Sequence, residues 1–320
     1  MKFTAALFIS FAALLSNLSV AKPVQFLAYG DMPYSSVDRD LISAPDGALY
    51  KAAQITPHQF VVHVGDIKAG VQSCSDALLR DNYQVISSLS TKPFIYTPGD
   101  NDWTDCDRVT LLQTFDELER LQFVRENFAT QTPALANFKR QANQPENQSW
   151  QLDDVQFVTL HVVATNNGRR QILQSDEKTA LSQVDSRDQL NFAWLDQHLP
   201  KKGPKAAVIM MQADIYVKAK HDGACTDKEQ KKCDGLLAYR KQMDKLAKKR
   251  NYPILLVHGD TPAYCFSKRN SGLWHLNTPG DFKVLDIAQV TVEPESQQPF
   301  TVKSLLSKDS IAACPEISKD

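Results

Sequence analysis

The chain places its densest group of cation-binding side chains between residues 98 and 106, where Asp100, Asn101, Asp102 and Asp105 fall within six residues. Carboxylates this close repel one another unless a positive charge lies among them, and hard divalent cations prefer oxygen ligands. The same residue types also satisfy free backbone N–H groups in turns and at helix N-termini. This stretch alone therefore fits both a cation site and an ordinary Asx-rich turn.

Polar residues follow five apolar runs that are predicted as strands (residues 24–29, 59–64, 93–96, 206–211 and 254–257). These polar residues are Asp31, Asp66, Asp100 with Asn101, Gln212, and His258 with Asp260. The first three runs end in a Gly-Asp pair, in which glycine permits a sharp turn. Because ligands in open α/β sheets bind at the carboxyl ends of the strands, we expect these side chains to surround one or two divalent cations.

Helical periodicity fills the segments between the runs, at residues 75–89, 114–128, 187–199 and 236–249. Strands that alternate with helices predict βαβ units and a largely parallel central sheet. Residues 139–149 are rich in Gln, Asn and Pro, so we predict a surface loop there. Residues 284–287 and 290–292 are predicted as late strands of a second sheet.

In their order along the chain, these motifs resemble those of the calcineurin-like metallophosphoesterases, which carry GDxH, GDxx, GNH(D/E), a lone His after a strand, and GHxH. The corresponding segments are Gly30-Asp31-Met32-Pro33, Gly65-Asp66-Ile67-Lys68, Gly99-Asp100-Asn101-Asp102, Met211-Gln212-Ala213 and Gly259-Asp260-Thr261-Pro262. The resemblance covers nearly all of residues 22–320. It implies an α/β fold, a four-layer α-β-β-α sandwich with mixed sheets, and a two-metal site at one sheet edge. It also implies hydrolysis of a phosphate ester by a metal-bound hydroxide.

The chain departs from the family pattern at its histidines. Two histidines that serve one metal in the family are replaced by Pro33 and Pro262, and the catalytic histidine is replaced by Asn101. The predicted metal ligands are Asp31, Asp66, Asp100, Asn101, Gln212, His258 and Asp260, and the predicted catalytic residues are Asn101 and His258. This oxygen-rich set favours Mg²⁺, Mn²⁺ or Ca²⁺ over Zn²⁺, with one or two ions per chain.

Two hypotheses about function follow from the resemblance. The first is an exported, metal-dependent phosphoesterase that acts on a small phosphate ester, and it is supported by the retained carboxylates. The second is a catalytically degenerate protein that acts as a binding or envelope-interaction module, and it is favoured by the loss of both histidines of one metal. The chain has no Gly-x-Ser-x-Gly nucleophile elbow, phosphate-binding P-loop or Gly-x-Gly-x-x-Gly fingerprint.

The N-terminus predicts export. Residues 1–21 have a basic start, an apolar centre and the small-residue end Ser19-Val20-Ala21, which is typical of a cleaved signal peptide. Residues 22–320 are then expected to form one domain with a C-terminal tail, in the periplasm or the medium. All six cysteines lie in this part, and an exported chain is expected to form disulfides. Pairs Cys74–Cys106, Cys225–Cys233 and Cys265–Cys314 are favoured, although the sequence leaves other connectivities open.

The formal net charge of −1 argues against a nucleic-acid binder that works by bulk electrostatics. Basic residues are nevertheless frequent from Lys228 to Arg250. Because apolar residues recur there at helical spacing, an ordinary surface helix is expected. The alternative is a weak contact with an anionic surface. The oligomeric state is left open.

Overall fold

The computed structural model describes residues 22–316, so the predicted signal peptide lies outside the described residues. Twelve strands form two sheets. The strands are β1 (Val24–Tyr29), β2 (Phe60–His63), β3 (Phe94–Tyr96), β4 (Lys139–Gln141), β5 (Gln144–Leu152), β6 (Val155–Thr159), β7 (Ala206–Met210), β8 (Ile254–His258), β9 (Cys265–Lys268), β10 (Trp274–Asn277), β11 (Ala288–Val292) and β12 (Phe300–Ser304). The first sheet has the order β12-β11-β1-β2-β3, and the second has the order β4-β5-β6-β7-β8-β10-β9.

Six helices connect the strands. They are α1 (Ser36–Ser43), α2 (Ala48–Ile55), α3 (Asp76–Ser87), α4 (Glu117–Val124), α5 (Glu177–His198) and α6 (Leu237–Lys249), and a π-helical segment, Arg125–Ala129, extends α4. Four of the helices begin after a residue whose side-chain oxygen accepts a free N–H group. These N-cap residues are Ser35, Ser75, Asp116 and Asp176.

Parallel pairing brings the functional strand ends together. Strands β1, β2 and β3 are parallel in the first sheet, and β6, β7, β8 and β10 are parallel in the second. The other strands pair antiparallel at the flanks. The loops that follow the parallel strands of both sheets therefore supply the residues of one shared edge.

Three apolar cores separate the layers. Between the sheets, the ring of Phe60 stacks on Phe26 and meets Trp150 and Phe157 edge-on. Helices α1–α3 cover the outer face of the first sheet, and α5 and α6 cover the outer face of the second. The predicted four-layer α-β-β-α sandwich with mixed sheets is confirmed.

The prediction of a surface loop at residues 139–149 was wrong, because this segment contains β4 and most of β5. Its polar side chains are buried against α5, where they find partners. Gln144 and Asn147 both donate to Asn191 Oδ1, at 2.6 and 2.8 Å, and Ser149 Oγ lies 3.0 Å from His198 Nδ1. Burial of these amides is tolerated because the amide groups are hydrogen-bonded.

The late strands were also partly mispredicted. Strand β11 belongs to the first sheet, where it pairs antiparallel with β1, and residues 284–287 form no strand. The carboxylate of Asp286 instead accepts backbone N–H groups of Ile287, Leu305 and Leu306. These bonds fasten the loop that precedes β11. Helix α1 was not among the predicted helices; its start is fixed by a capping box between Ser35 and Asp38.

All three expected disulfides are present, joining Cys74 to Cys106, Cys225 to Cys233 and Cys265 to Cys314. The first ties the loop after β2 to the loop after β3. Helix α6 buries Tyr239, Met243 and Leu246, as expected for a surface helix with one apolar face. Within residues 22–316, no helix has the length and apolar character needed to cross a membrane.

The core between the sheets gives a direct stability test. We expect Phe60→Ala to lower the free energy of unfolding by about 3–5 kcal/mol, since the ring is fully buried and its loss leaves a cavity. Leu112→Ala, at a fully exposed position, should change it by less than about 0.5 kcal/mol. Urea denaturation measures both, and equal effects would contradict the assignment of this core.

Candidate metal centre

The carboxyl ends of five parallel strands bring six of the predicted residues to one place, Asn101 lying beside Asp100. Asp31 follows β1, Asp66 follows β2, Asp100 follows β3, Gln212 follows β7 and Asp260 follows β8. Their side chains are linked by hydrogen bonds across both sheets. We call Asp31, Asp66, Asp100 and Asp260 the carboxylate cluster.

The motif glycines are required for two reasons: the chain turns sharply there, and a Cβ atom would collide with a neighbouring carboxylate. A Cβ atom on Gly99 would lie 1.9 Å from Asp66 Oδ1, and a Cβ atom on Gly259 would lie 2.2 Å from Asp31 Oδ2. Each glycine therefore makes room for the carboxylate of a neighbouring strand end. Asp31, Asp66 and Asp260 themselves have left-handed backbone, with φ of 53°, 59° and 75°, a conformation that clusters at functional sites.

Backbone and side-chain donors orient the carboxylates of Asp31 and Asp66. The N–H of Asp260 donates to both oxygens of Asp31, at 3.2 and 3.1 Å. The N–H of Asn101 donates to Asp66 Oδ1 at 3.0 Å, and its side-chain Nδ2 donates to Asp66 Oδ2 at 3.2 Å. The hydroxyl of Tyr34 lies 3.4 Å from both Asp31 Oδ1 and Asn101 Nδ2.

Gln212 faces the cluster with its amide nitrogen. Its Oε1 accepts the N–H of Ala164 at 2.7 Å, which turns Nε2 toward Asp66 and Asp100, both at 3.1 Å, and Asp260, at 3.5 Å. An amide nitrogen donates hydrogen bonds and does not bind cations. The predicted role of Gln212 as a metal ligand therefore requires the amide to rotate and give up the bond to Ala164.

Two residues of the group Asp100, Asn101, Asp102 and Asp105 stabilise the loop that follows β3. Asp102 accepts the N–H groups of Gly99, Asp66 and Ile67 and the hydroxyl of Tyr96, at 2.7–3.0 Å. Asp105 pairs with Arg108 and accepts from Gln171. Asp100 and Asn101 face the cluster instead. The Asx-turn and cation-site interpretations thus apply to different residues of one stretch.

His258 does not reach the carboxylate cluster. Side chains alternate along β8: Leu255 and Val257 point between the sheets, whereas Leu256 packs in the outer layer toward the helices. His258 follows the same alternation as Leu256, and its Nε2 lies 2.5 Å from His275 Nε2. The expected supply of a leaving-group proton by His258 at this cluster is therefore not supported by its position.

Thr165 is a site residue that the sequence did not reveal. It lies in the turn Ala164–Gly168, where Thr165, Asn166 and Asn167 have left-handed φ of 52°, 59° and 59°. The Thr165 hydroxyl donates to Asp100 Oδ2 at 2.6 Å and lies 3.0 Å from Asp105 Oδ1. A β-branched residue rarely adopts this backbone, so the only sequence signal was Asn-Asn-Gly, which tolerates left-handed turns.

Asp281 was also missed, although the sequence carries a signal for it. It follows β10 in the triplet Pro279-Gly280-Asp281, which repeats Pro98-Gly99-Asp100. Its N–H donates to the backbone oxygen of Asp31 at 3.0 Å. Another Gly-Asp pair thus follows a parallel strand and fastens the Asp31 loop.

Burial and mutual repulsion make full ionisation of the cluster unfavourable unless a cation lies among the carboxylates. The pKa of Asp31 is raised to about 8 by burial and, to a smaller extent, by the charges of Asp281 and Asp100, while the Asp260 N–H opposes the rise. Burial, followed by the charge of Asp100, also raises the pKa of Asp66 and Asp260 well above the ordinary value. Within residues 22–316, no lysine or arginine forms an ion pair with the cluster. These oxygens fit the donor set of Mg²⁺, Mn²⁺ or Ca²⁺.

A cleft of about 420 Å³ opens above the cluster. Asp100, Asp260 and Thr165 lie among its lining residues, and five cationic residues also line it. These are Arg108, Arg170, Lys218, Lys220 and Arg240. Arg108 is paired with Asp105 and Arg240 with Asp234.

Comparison with known proteins identifies the architecture. No protein-family description and no curated protein matches the sequence. Among solved structures, PhoD superposes with a TM-score of 0.52 at 12% identity, over 86% of this chain and 64% of PhoD. The chain has the metallophosphoesterase fold. The expected resemblance is confirmed at the level of the fold.

Other metallophosphoesterase-fold structures match with lower scores. A 5'-nucleotidase from Candida albicans gives a TM-score of 0.47 at 9% identity, over 88% of this chain and 51% of that one. A dimetal phosphatase from Danio rerio gives 0.46 at 11% identity, over 84% and 95%.

The raised pKa of Asp31 predicts a pH-dependent stability. Between its unfolded value of about 3.9 and its folded value of about 8, the native state binds more protons than the unfolded state. In the metal-free protein, the contribution of Asp31 to the free energy of unfolding should therefore fall as the pH rises through this window. Urea denaturation in EDTA should show a shallower fall for Asp31→Asn than for the natural chain. Identical pH dependence in the two proteins would contradict the prediction.

The contact at Gly99 predicts loss of metal binding without loss of the fold. In Gly99→Ala, the new methyl group would displace the Asp66 carboxylate, so we expect Mn²⁺ affinity to fall about tenfold or more. Gly223→Ala is the control, because it strains a left-handed backbone (φ of 84°) while its Cβ atom meets nothing within 4 Å. Isothermal titration calorimetry with Mn²⁺ measures both affinities, and an unchanged affinity in Gly99→Ala would refute the assigned contact.

Proposed function

We propose that this chain is an exported, metal-dependent phosphoesterase that acts on a small phosphate ester. The observation that carries this proposal is a single cleft with carboxylates at its base and cations along its walls. A cation bound by the carboxylates would attract phosphoryl oxygens from below, while the wall residues would bind the anion from the side. The three disulfides support an oxidising compartment.

Three of the five cationic residues that line the cleft are available to an anionic substrate. Lys218 and Lys220 are exposed and Arg170 is half-buried. None of the three forms an ion pair in the described part of the chain, whereas Arg108 and Arg240 each have a carboxylate partner. Phosphate oxygens accept charge-assisted hydrogen bonds from such groups.

Asp31, Asp66, Asp100 and Asp260 would hold the cation, and Asn101 would lie beside the substrate. A divalent ion here supplies Lewis acidity toward a phosphoryl oxygen and lowers the pKa of water. The Asn101 amide can donate a hydrogen bond but cannot release a proton. Burial raises the pKa of Tyr34 well above its ordinary range, so its hydroxyl stays protonated. With no histidine at the cluster, we expect a slow enzyme that prefers good leaving groups.

A degenerate binding module is the second candidate, and Gln212 favours it. Its amide nitrogen lies near three carboxylates, where it partly offsets their repulsion without a metal ion. A contact of the basic residues between Lys228 and Arg250 with an anionic surface would suit such a module and stays a prediction. Absence of bound metal after dialysis against Mn²⁺ would favour this candidate, because the enzyme requires at least one ion per chain.

Asp66→Asn tests the activity. We expect the natural chain to hydrolyse p-nitrophenyl phosphate or bis(p-nitrophenyl) phosphate in Mn²⁺, and Asp66→Asn to abolish this, because it removes a carboxylate at the centre of the cluster. Asp153→Asn is the matched control, since Asp153 is exposed and also has left-handed φ, of 48°. Hydrolysis that survives in Asp66→Asn would exclude this site, and Mn²⁺ binding without hydrolysis of either ester would favour the binding module.

The wall lysines give a separate test of substrate binding. Lys218→Ala combined with Lys220→Ala should raise KM about two- to tenfold and leave kcat nearly unchanged, because exposed charges contribute about 0.2–1 kcal/mol each. The control combines Lys201→Ala with Lys202→Ala, two exposed lysines outside the cleft lining. Steady-state kinetics at low and high salt measure both. A loss confined to kcat would contradict the assigned role.

A further inference from the structure

Three ligand-type side chains converge outside the carboxylate cluster. Oxygen or nitrogen atoms of Asp214, His258 and His275 all lie within 4.8 Å of one another. Both histidines are buried, and the Asp214 side chain is 15% exposed. The group thus combines two imidazoles and one carboxylate beneath a small opening to solvent.

The sheet places these residues side by side. His258 ends β8 and His275 lies in the adjacent parallel strand β10. Their rings are nearly parallel, with centroids 4.7 Å apart. Asp214 lies two residues after Gln212, as His258 lies two residues before Asp260. The same two loops therefore carry this group and part of the carboxylate cluster.

The histidine contacts place the two Nε2 atoms face to face, with one proton between them that a bound cation would displace. His258 Nδ1 lies 2.8 Å from the backbone oxygen of Gly259, so Nδ1 carries the proton and Nε2 is free to accept. Metal-binding histidines are commonly held by this kind of outer contact. Burial and the charge of Arg269 hold the pKa of His275 well below its ordinary value, so the ring is neutral. Because a guanidinium can only donate to His275 Nδ1, the ring carries its proton on Nε2. Arg269 lies 3.5 Å from His275 Nδ1 and is also bound to Pro315 and Glu316.

Neutral donors orient the Asp214 carboxylate. The N–H of Tyr216 donates to Oδ1 at 2.8 Å, and the Thr261 hydroxyl donates to Oδ2 at 3.1 Å. Among the described residues, no lysine or arginine forms an ion pair with Asp214. Its negative charge is therefore positioned and uncompensated.

Asn277 adds a second, independent observation. It lies on the same face of β10 as His275, and its Nδ2 donates to Thr261 Oγ1 at 2.6 Å. Its Oδ1 is buried and has no hydrogen-bond partner within residues 22–316. A buried acceptor without a donor is costly, and a cation on this face of the strand would offer it a partner.

We propose that Asp214, His258 and His275 bind one zinc-type transition metal ion, separately from the carboxylate cluster. Two imidazoles and a carboxylate are the donors that Zn²⁺ and Co²⁺ accept, with further positions left for water or the Asn277 oxygen. This site lies outside the proposed phosphoesterase chemistry and does not depend on it. It is selective for a different class of metal from that expected at the all-oxygen cluster.

Cobalt binding to the oxidised residue 22–320 chain tests the proposal. After treatment with EDTA, titration with Co²⁺ should produce visible absorption that saturates at one ion per chain, and Zn²⁺ should abolish it. We expect His275→Gln and Asp214→Asn each to weaken Co²⁺ binding by more than about a hundredfold, since each removes a ligand. Asp66→Asn, at the carboxylate cluster, and His58→Gln, at a half-buried histidine held by Thr56 and Ser90, should retain the signal.

The outcomes that overturn the proposal are specific. Absence of Co²⁺ absorption in the natural chain would mean that a shared proton alone accounts for the approach of the two histidines. Loss of the signal in Asp66→Asn, with its retention in Asp214→Asn, would place the ion at the carboxylate cluster. If circular dichroism shows that His275→Gln is unfolded, the partly exposed Asp214→Asn decides the test. Because metal binding is the readout, failure of phosphoester hydrolysis leaves this result unaffected.

Discussion

Electrostatic repulsion among Asp31, Asp66, Asp100 and Asp260 is the constraint that the surrounding structure has to offset. Each of these carboxylates follows a parallel strand, and burial strengthens their repulsion because little water screens it. The fold opposes it with neutral donors: the backbone N–H groups of Asn101 and Asp260, the amide of Gln212 and the hydroxyl of Thr165. Fixed dipoles orient the carboxylates without neutralising them, so the site keeps its attraction for a cation.

The alternation of side chains along a strand divides the polar residues into two chemical environments. Around the end of β8, Asp260 joins an all-oxygen cluster, whereas His258 points to the outer layer and meets His275. The two short loops that follow β7 and β8 would then contribute to both sites. One site would bind hard cations, and the other would bind borderline transition metals. Asp214 raises the pKa of Asp260 through its charge, so a cation bound in one place would be felt electrostatically in the other.

The order of strands and Gly-Asp pairs predicted the meeting of Asp31, Asp66, Asp100 and Asp260, because parallel strands align their carboxyl ends. The two-sheet sandwich was predicted from the family resemblance that these motifs carry. Other features depend on partners distant in sequence. The hairpin of β4 and β5 is buried only because Asn191 and His198 receive its polar groups. Thr165 contacts Asp100 from a left-handed turn, a backbone conformation that β-branched residues rarely adopt. The position of His258 was predictable in principle, since it shares the strand face of Leu256.

The glycine contacts bear on how such a site changes over evolutionary time. Where the motifs of the resembled family have histidines, this chain has proline, asparagine, glutamine and aspartate, yet Gly30, Gly65, Gly99 and Gly259 stand where the motifs have them. At Gly99 and Gly259 the space that a side chain would need is filled by a carboxylate from another strand. A single substitution can therefore change a metal ligand, whereas a side chain at Gly99 or Gly259 would displace a carboxylate. A site built on such a frame would accept a change of ligand, and with it a different metal, more readily than a change of glycine.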